Sequence, residues 1–129
     1  MSNEILEKVS ENGFYLTELP YTVLSEEVCI AAINQNPDVF SHIPFALRTE
    51  KIILAAVSKH GGNLNHVKDK QKTYEICLAA VKNDEFAFRS VPDNYKTLEL
   101  CLIAVKNNDN LLRFVPDIIR EQIQNQLAQ

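Results

Sequence analysis

Lys72-Thr73-Tyr74-Glu75-Ile76-Cys77-Leu78-Ala79-Ala80-Val81-Lys82-Asn83 is followed, 24 residues on, by Lys96-Thr97-Leu98-Glu99-Leu100-Cys101-Leu102-Ile103-Ala104-Val105-Lys106-Asn107. The same interval extends outward. Ser25 and Thr49 stand in phase with Thr73 and Thr97, and Cys29 and Ile53 with Cys77 and Cys101; Ala32, Ala56, Ala80 and Ala104 recur, as do Ile33, Val57, Val81 and Val105. Later in each unit come Phe40, Leu64, Phe88 and Leu112, then Ile43, Val67, Val91 and Val115, with Pro44, Pro92 and Pro116 closing three of the four units. A period that does not drift is the signature of a repeat architecture.

Each unit opens as a helix. Ser or Thr stands where an N-cap would, and Glu27, Glu75 and Glu99 fall in the first turn, where negative charge suits the helix dipole. The segments that follow, such as Ile76-Cys77-Leu78-Ala79-Ala80-Val81, are apolar almost all round, which predicts helices buried on several sides. A short apolar run could also be a strand, but the central Ala pairs, the preceding cap and the trailing Lys82 or Lys106 select the helix. Leucine-rich repeats have a similar period, yet their Leu-x-x-Leu-x-Leu-x-x-Asn spacing is missing.

A variable loop follows: Asn36-Pro37-Asp38, His60-Gly61-Gly62, Asp84-Glu85-Phe86 or Asn108-Asp109-Asn110. Beyond it, apolar pairs spaced i, i+3, such as Leu112 and Val115, predict a second short helix, which the closing proline cannot continue. Each unit is then a helical hairpin that cannot bury its apolar faces alone but can do so when stacked. The expectation is an all-α solenoid, a short superhelix of 24-residue units at 25–48, 49–72, 73–96 and 97–120, with a degenerate capping repeat at 1–24 and a cap at 121–129. The Ala positions let helices approach closely, so a larger residue at Ala80 or Ala104 would overpack by about 1–3 kcal/mol.

Composition bounds the functional classes. A chain of 129 residues with 46% hydrophobic and 23% charged residues is sized and composed as one globular domain. Its longest apolar runs are about six residues, far short of the roughly twenty of a membrane helix. The acidic, polar N-terminus lacks the features of a secretory signal, and an odd count of three cysteines among Ala, Ile and Leu suits buried, reduced thiols; both point to the cytoplasm. A net charge of −4 argues against direct nucleic-acid binding, which needs a basic footprint.

The two quoted segments resemble a bacterial helical repeat family, domain of unknown function 4116, over roughly residues 24–120, through Thr-x-Glu-x-Cys-Leu-x-Ala-Val-Lys and the Val-Pro that follows. The resemblance implies a bacterial source and a tandem helical scaffold, and supplies no catalytic residues. The second unit departs from the pattern, with Ile53 for Cys and Lys68 for Pro, so a local irregularity is expected there.

No reactive constellation is written in the sequence, and the chain is not expected to be an enzyme. Cys29, Cys77 and Cys101 share one inward phase on successive helices, which stack about 8–10 Å apart, beyond the roughly 7 Å Cα separation of a disulfide. His42, His60 and His66 lack metal-ligand spacing, so no metal or cofactor is expected. His60-Gly61-Gly62-Asn63 could cradle an anion, but reads better as a turn requiring positive φ.

Residues that fail to repeat carry more information, because the scaffold does not explain them. Phe45 stands where other units have Asp69 or Asp93, Phe86 where they have Gly62 or Asn110, and Tyr95 where the second unit has Gln71. Exposed aromatics at these positions would mark an interaction surface. Glu4, Glu7 and Glu11 form a second candidate, an acidic helical stripe within a first third, residues 1–48, whose charge sums to −5 against +1 for the remainder. The expected function is noncatalytic binding of another protein, of the kind a bacterial immunity protein or antitoxin performs on a basic toxin such as a nuclease. An effector or assembly scaffold with a non-toxin partner, and an enzyme with a nonobvious site, are the alternatives.

Overall fold

The recurring hydroxyls close helices in the computed structural model, which describes residues 2–127. Ser25, Thr49, Thr73 and Thr97 each accept a bond from the backbone N–H three residues on, at 3.2–3.3 Å. They open α2 (Glu26–Gln35), α3 (Glu50–Lys59), α4 (Tyr74–Asn83) and α5 (Leu98–Asn107), whose first residues are 24 apart. Before them lies α1 (Ser2–Glu11) and after them α6 (Asp117–Leu127). The fold is all-α, with no strand among the described residues. The expected end caps, 1–24 and 121–129, lie outside the described residues at position 1 and positions 128–129.

Between successive α-helices the chain forms a 3-10 helix of six residues, at Gly13–Glu18, Pro37–His42, Gly61–His66, Glu85–Ser90 and Asp109–Phe114. The second helix of each unit is therefore a 3-10 helix. Phe40 and Phe88 are buried with the extended C-caps Ile43 and Val91, whose N–H groups donate to the Phe40 and Phe88 carbonyls at 3.0 and 3.1 Å and close the last i, i+3 turn. Asn12, Asn36, Asp84 and Asn108 cap these segments by accepting from the N–H two residues on, so the variable loop is itself a helix start.

Two expected features of the second unit are corrected. Lys68, in the place of proline, adopts φ −73° and ψ 146°, close to Pro92 at −64° and 149°, so the unit runs on without irregularity. Lysine can occupy the extended region that proline is locked into. Nor does any glycine have positive φ. Gly61 is required by close approach: a Cβ there would collide with the Ala80 carbonyl and lie 2.9 Å from Asp84 Cβ. Its N–H donates to Asn83 Oδ1 at 2.6 Å, and Gly13, two periods earlier, donates to Gln35 Oε1 at the same distance.

Neighbouring α-helices touch in chain order, from α1 through α6. Side-chain bonds fix α2, α3, α4 and α5 as parallel. At the N-terminal ends Thr49 donates to Glu26, and the Tyr74 hydroxyl donates to Glu99. At the C-terminal ends Asn83 donates to the Ser58 carbonyl. The inward phases carry the core: Cys29, Ile53, Cys77 and Cys101, with the recurring Ala and Ile or Val, are at most 2% exposed. Burial is less complete than an all-round apolar helix predicts, since Ile30, Leu54, Leu78 and Leu102 remain partly exposed. α6 begins at Asp117, five residues ahead of the period, because position 121 is Glu and no Ser or Thr cap separates the post-proline turn from the helix.

Candidate partner-binding surface

A basic residue ends each unit, Arg48, Lys72, Lys96 and Arg120, and the stacking turns three of them inward as staples. Arg48 Nη1 donates to the His66 carbonyl at 2.7 Å, Lys72 Nζ to that of Ser90 at 2.7 Å, and Lys96 Nζ to that of Phe114 at 2.9 Å. Each acceptor lies 18 residues on, at the last residue of the next unit's 3-10 helix, whose carbonyls lack partners within the helix. Arg48 also lies over the Phe40 ring and Lys96 over Phe88, and burial lowers the Arg48 pKa. Arg120, at the end of the array, turns back to the Val115 carbonyl. This row was missed in the sequence; its signal was the 24-residue recurrence of positive charge.

The staples and caps account for most of the repeated polar groups, which leaves the nonrepeating ones. Tyr95 is half-buried, its hydroxyl donating to the Lys72 carbonyl at 3.1 Å, and Phe45 is half-buried with Lys68 and Lys70 ammonium groups 4.7 and 5.0 Å from its ring centre. Phe86 differs: it is 55% exposed. It lines a cleft of about 380 Å³ with Gly62, Asn65, Asp84, Arg89 and Ser90. The cleft continues past Asn65, Arg89 and Ser90 toward Asp69, Lys72 and Pro92. The unit before Phe86 has Gly62 at the same phase, so a large side chain follows an absent one and leaves the recess.

The acidic stripe lies elsewhere. Glu4, Glu7 and Glu11 are exposed on α1, and Val9 faces the core. Lys8 interrupts the stripe, pairing with Glu4 at 3.6 Å and lying 5.3 Å from the Tyr15 ring. Tyr15 and Glu4 hold its ammonium pKa above the ordinary lysine value. The six candidate residues thus occupy separate elements: the stripe on α1, Phe45 and Tyr95 in contacts between units, and Phe86 on the cleft.

Reactive side chains are dispersed or covered. Cys29, Cys77 and Cys101 are each 0% exposed, and burial pushes their thiols up to about 11, away from the thiolate a nucleophile requires. His42, His60 and His66 are exposed, and no three His, Cys, Asp or Glu side chains converge as metal ligands among the described residues. No helix among the described residues is long and apolar enough to cross a membrane.

The sequence matches the family described as "Domain of unknown function (DUF4116)" twice, over residues 49–96 and 73–120. The matches are offset by 24 residues, and each spans two of the units described above. No curated protein and no solved structure matches the chain.

Proposed function

We propose that this chain, which belongs to the DUF4116 family, is a noncatalytic protein-binding array, anchored on its partner through Phe86 and the adjoining cleft. The observation carrying this reading is the 55% exposure of an aromatic ring that the repeat does not need. Large, rigid aromatics beside a recess are the side chains on which binding energy concentrates. The noncatalytic reading is supported by the occupation of the repeated polar groups, which serve as caps, staples and first-turn charges.

The partner is a basic protein, in the manner of a bacterial toxin neutralised by its immunity protein or antitoxin in the cytoplasm. The support is electrostatic: the acid is concentrated in residues 1–48, and Glu4, Glu7 and Glu11 are exposed. Such a field acts chiefly on association rate.

The test uses the product of the reading frame adjacent to the native coding sequence, immobilised and titrated with the purified chain. Phe86→Ala is expected to weaken binding about 30-fold, the equivalent of a 2 kcal/mol anchor. Reversing Glu4, Glu7 and Glu11 to Lys should slow association several-fold at low salt, with the difference shrinking as salt rises. A complex indifferent to both changes rejects the reading.

A further inference from the structure

The parallel α-helices place like ends side by side, and the charges at those ends differ in sign. On the outward face, Glu75 and Glu99 are exposed at the N-terminal edge and Lys82 and Lys106 at the C-terminal edge, one full heptad along the same helices. None of Glu75, Lys82 and Lys106 belongs to an ion pair among the described residues. Between the two edges runs an apolar belt, Leu54, Leu78 and Leu102 with Ala55, Ala79 and Ile103, all partly exposed although packed on the core. On α3 neither row continues, since Lys51 stands at the phase of Glu75 and Ser58 at that of Lys82, so the two charged edges lie on α4 and α5.

The belt side chains pack on the core by one side and leave the other in water. Core packing uses the inward phases, and a purely solvated outer face would carry polar residues at its middle. Leucine in the belt, three times in register, leaves apolar surface in water between rows of opposite charge.

We infer that this belt is a docking strip for an amphipathic helix of a partner protein, lying across α3, α4 and α5 with its acidic flank on the lysine edge and its basic flank on the glutamate edge. Spacing and charge favour this occupant. Stacked helices lie about 8–10 Å apart, and a helix laid across them repeats a face every seventh residue, about 10.5 Å. A seam of two to three heptads would therefore meet Leu54, Leu78 and Leu102 in turn, with Ala55 and Ala79 giving room between them. Because the flanks differ in sign, they also fix the direction in which the partner helix runs.

The inference rests on the reading of the chain as a protein-binding array but uses a face distinct from the Phe86 cleft, so the two can fail separately. The probe is a labelled synthetic helix of about 21 residues, with a leucine seam, lysines on one flank and glutamates on the other, measured by fluorescence anisotropy. The companions are a two-lysine-flank peptide and a mixed-flank peptide with a serine seam. The mixed-flank peptide is expected to bind, the serine-seam peptide not. Combined Lys82→Glu and Lys106→Glu, both on the surface, should weaken the mixed-flank peptide about fivefold and transfer the preference to the two-lysine-flank peptide. No binding of the mixed-flank peptide, equal binding of the serine-seam peptide, or an unmoved preference in the double variant overturns the strip. Binding lost through Phe86→Ala but not through the lysine changes also overturns it, by placing the peptide in the cleft, and leaves the protein-binding reading standing.

Discussion

Replacing Lys72 by Met removes one staple while keeping the aliphatic stem that fills the space around it. Lys72 Nζ donates to the Ser90 carbonyl at 2.7 Å and to Asp69 Oδ1 at 2.9 Å, and its side chain is only 8% exposed. The two bonds differ in worth. Asp69 is 84% exposed, so its half of the pair is screened and contributes about 0.5 kcal/mol or less. The carbonyl bond is charge-assisted and part-buried, and losing it leaves a helix-end acceptor without its donor, which costs about 1.5–3 kcal/mol. The larger penalty of about 3–5 kcal/mol for orphaning a buried charge does not apply, because the aspartate left behind is in water. The expected loss is thus about 2 kcal/mol, which for a chain of this length lowers Tm by about 7 °C. Urea and thermal unfolding followed by the helical circular dichroism signal would read it, with Asp69→Asn in parallel. The staple predicts a much smaller effect for Asp69→Asn. Equal losses in the two variants, or a Lys72→Met chain as stable as the parent, would refute the reasoning.

Three further outcomes follow from the packing. Gly61→Ala should destabilise by about 2 kcal/mol, since its Cβ meets the backbone of α4, whereas Gly62→Ala, whose nearest neighbour is the movable His60 ring at 3.0 Å, should stay within about 0.5 kcal/mol; equal unfolding midpoints would contradict the close approach. The three thiols are held at about 11, above the range of the unfolded chain, so unfolded protein releases these protons first and stability falls as pH rises from about 9 to 11. The alkaline slope should shrink in Cys77→Ala, and native protein should label with a thiol reagent only as it unfolds; fast native labelling would deny the burial. Deleting residues 73–96, one whole period, should leave a folded helical protein because the flanking units can restack, and deleting half a period should not; identical spectra for the two deletions would deny nearest-neighbour stacking.

The period, the caps and the inward phases were legible in the residues because each follows from a local rule. Ser25, Thr49, Thr73 and Thr97 are suited to helix N-caps wherever the chain goes next, and the small and branched residues at 24-residue spacing are apolar wherever they pack. The short second segment was legible as a helix but not as its type, because an i, i+3 apolar pair suits an α-helical and a 3-10 turn alike. The staples, the glycine contact and the exposed aromatic were decided only by stacking. A lysine at position 72 reads as a surface residue until the next unit brings the Ser90 carbonyl within 2.7 Å. Gly61 reads as a turn until α4 closes over it. Phe86 and Tyr95 are equally aromatic in sequence, yet the neighbouring unit offers Tyr95 the Lys72 carbonyl and offers Phe86 only the open cleft beside Gly62. Local preference is a property of a few consecutive residues, whereas exposure depends on what a residue 18 to 24 positions away places beside them, and that is fixed only when the units pack.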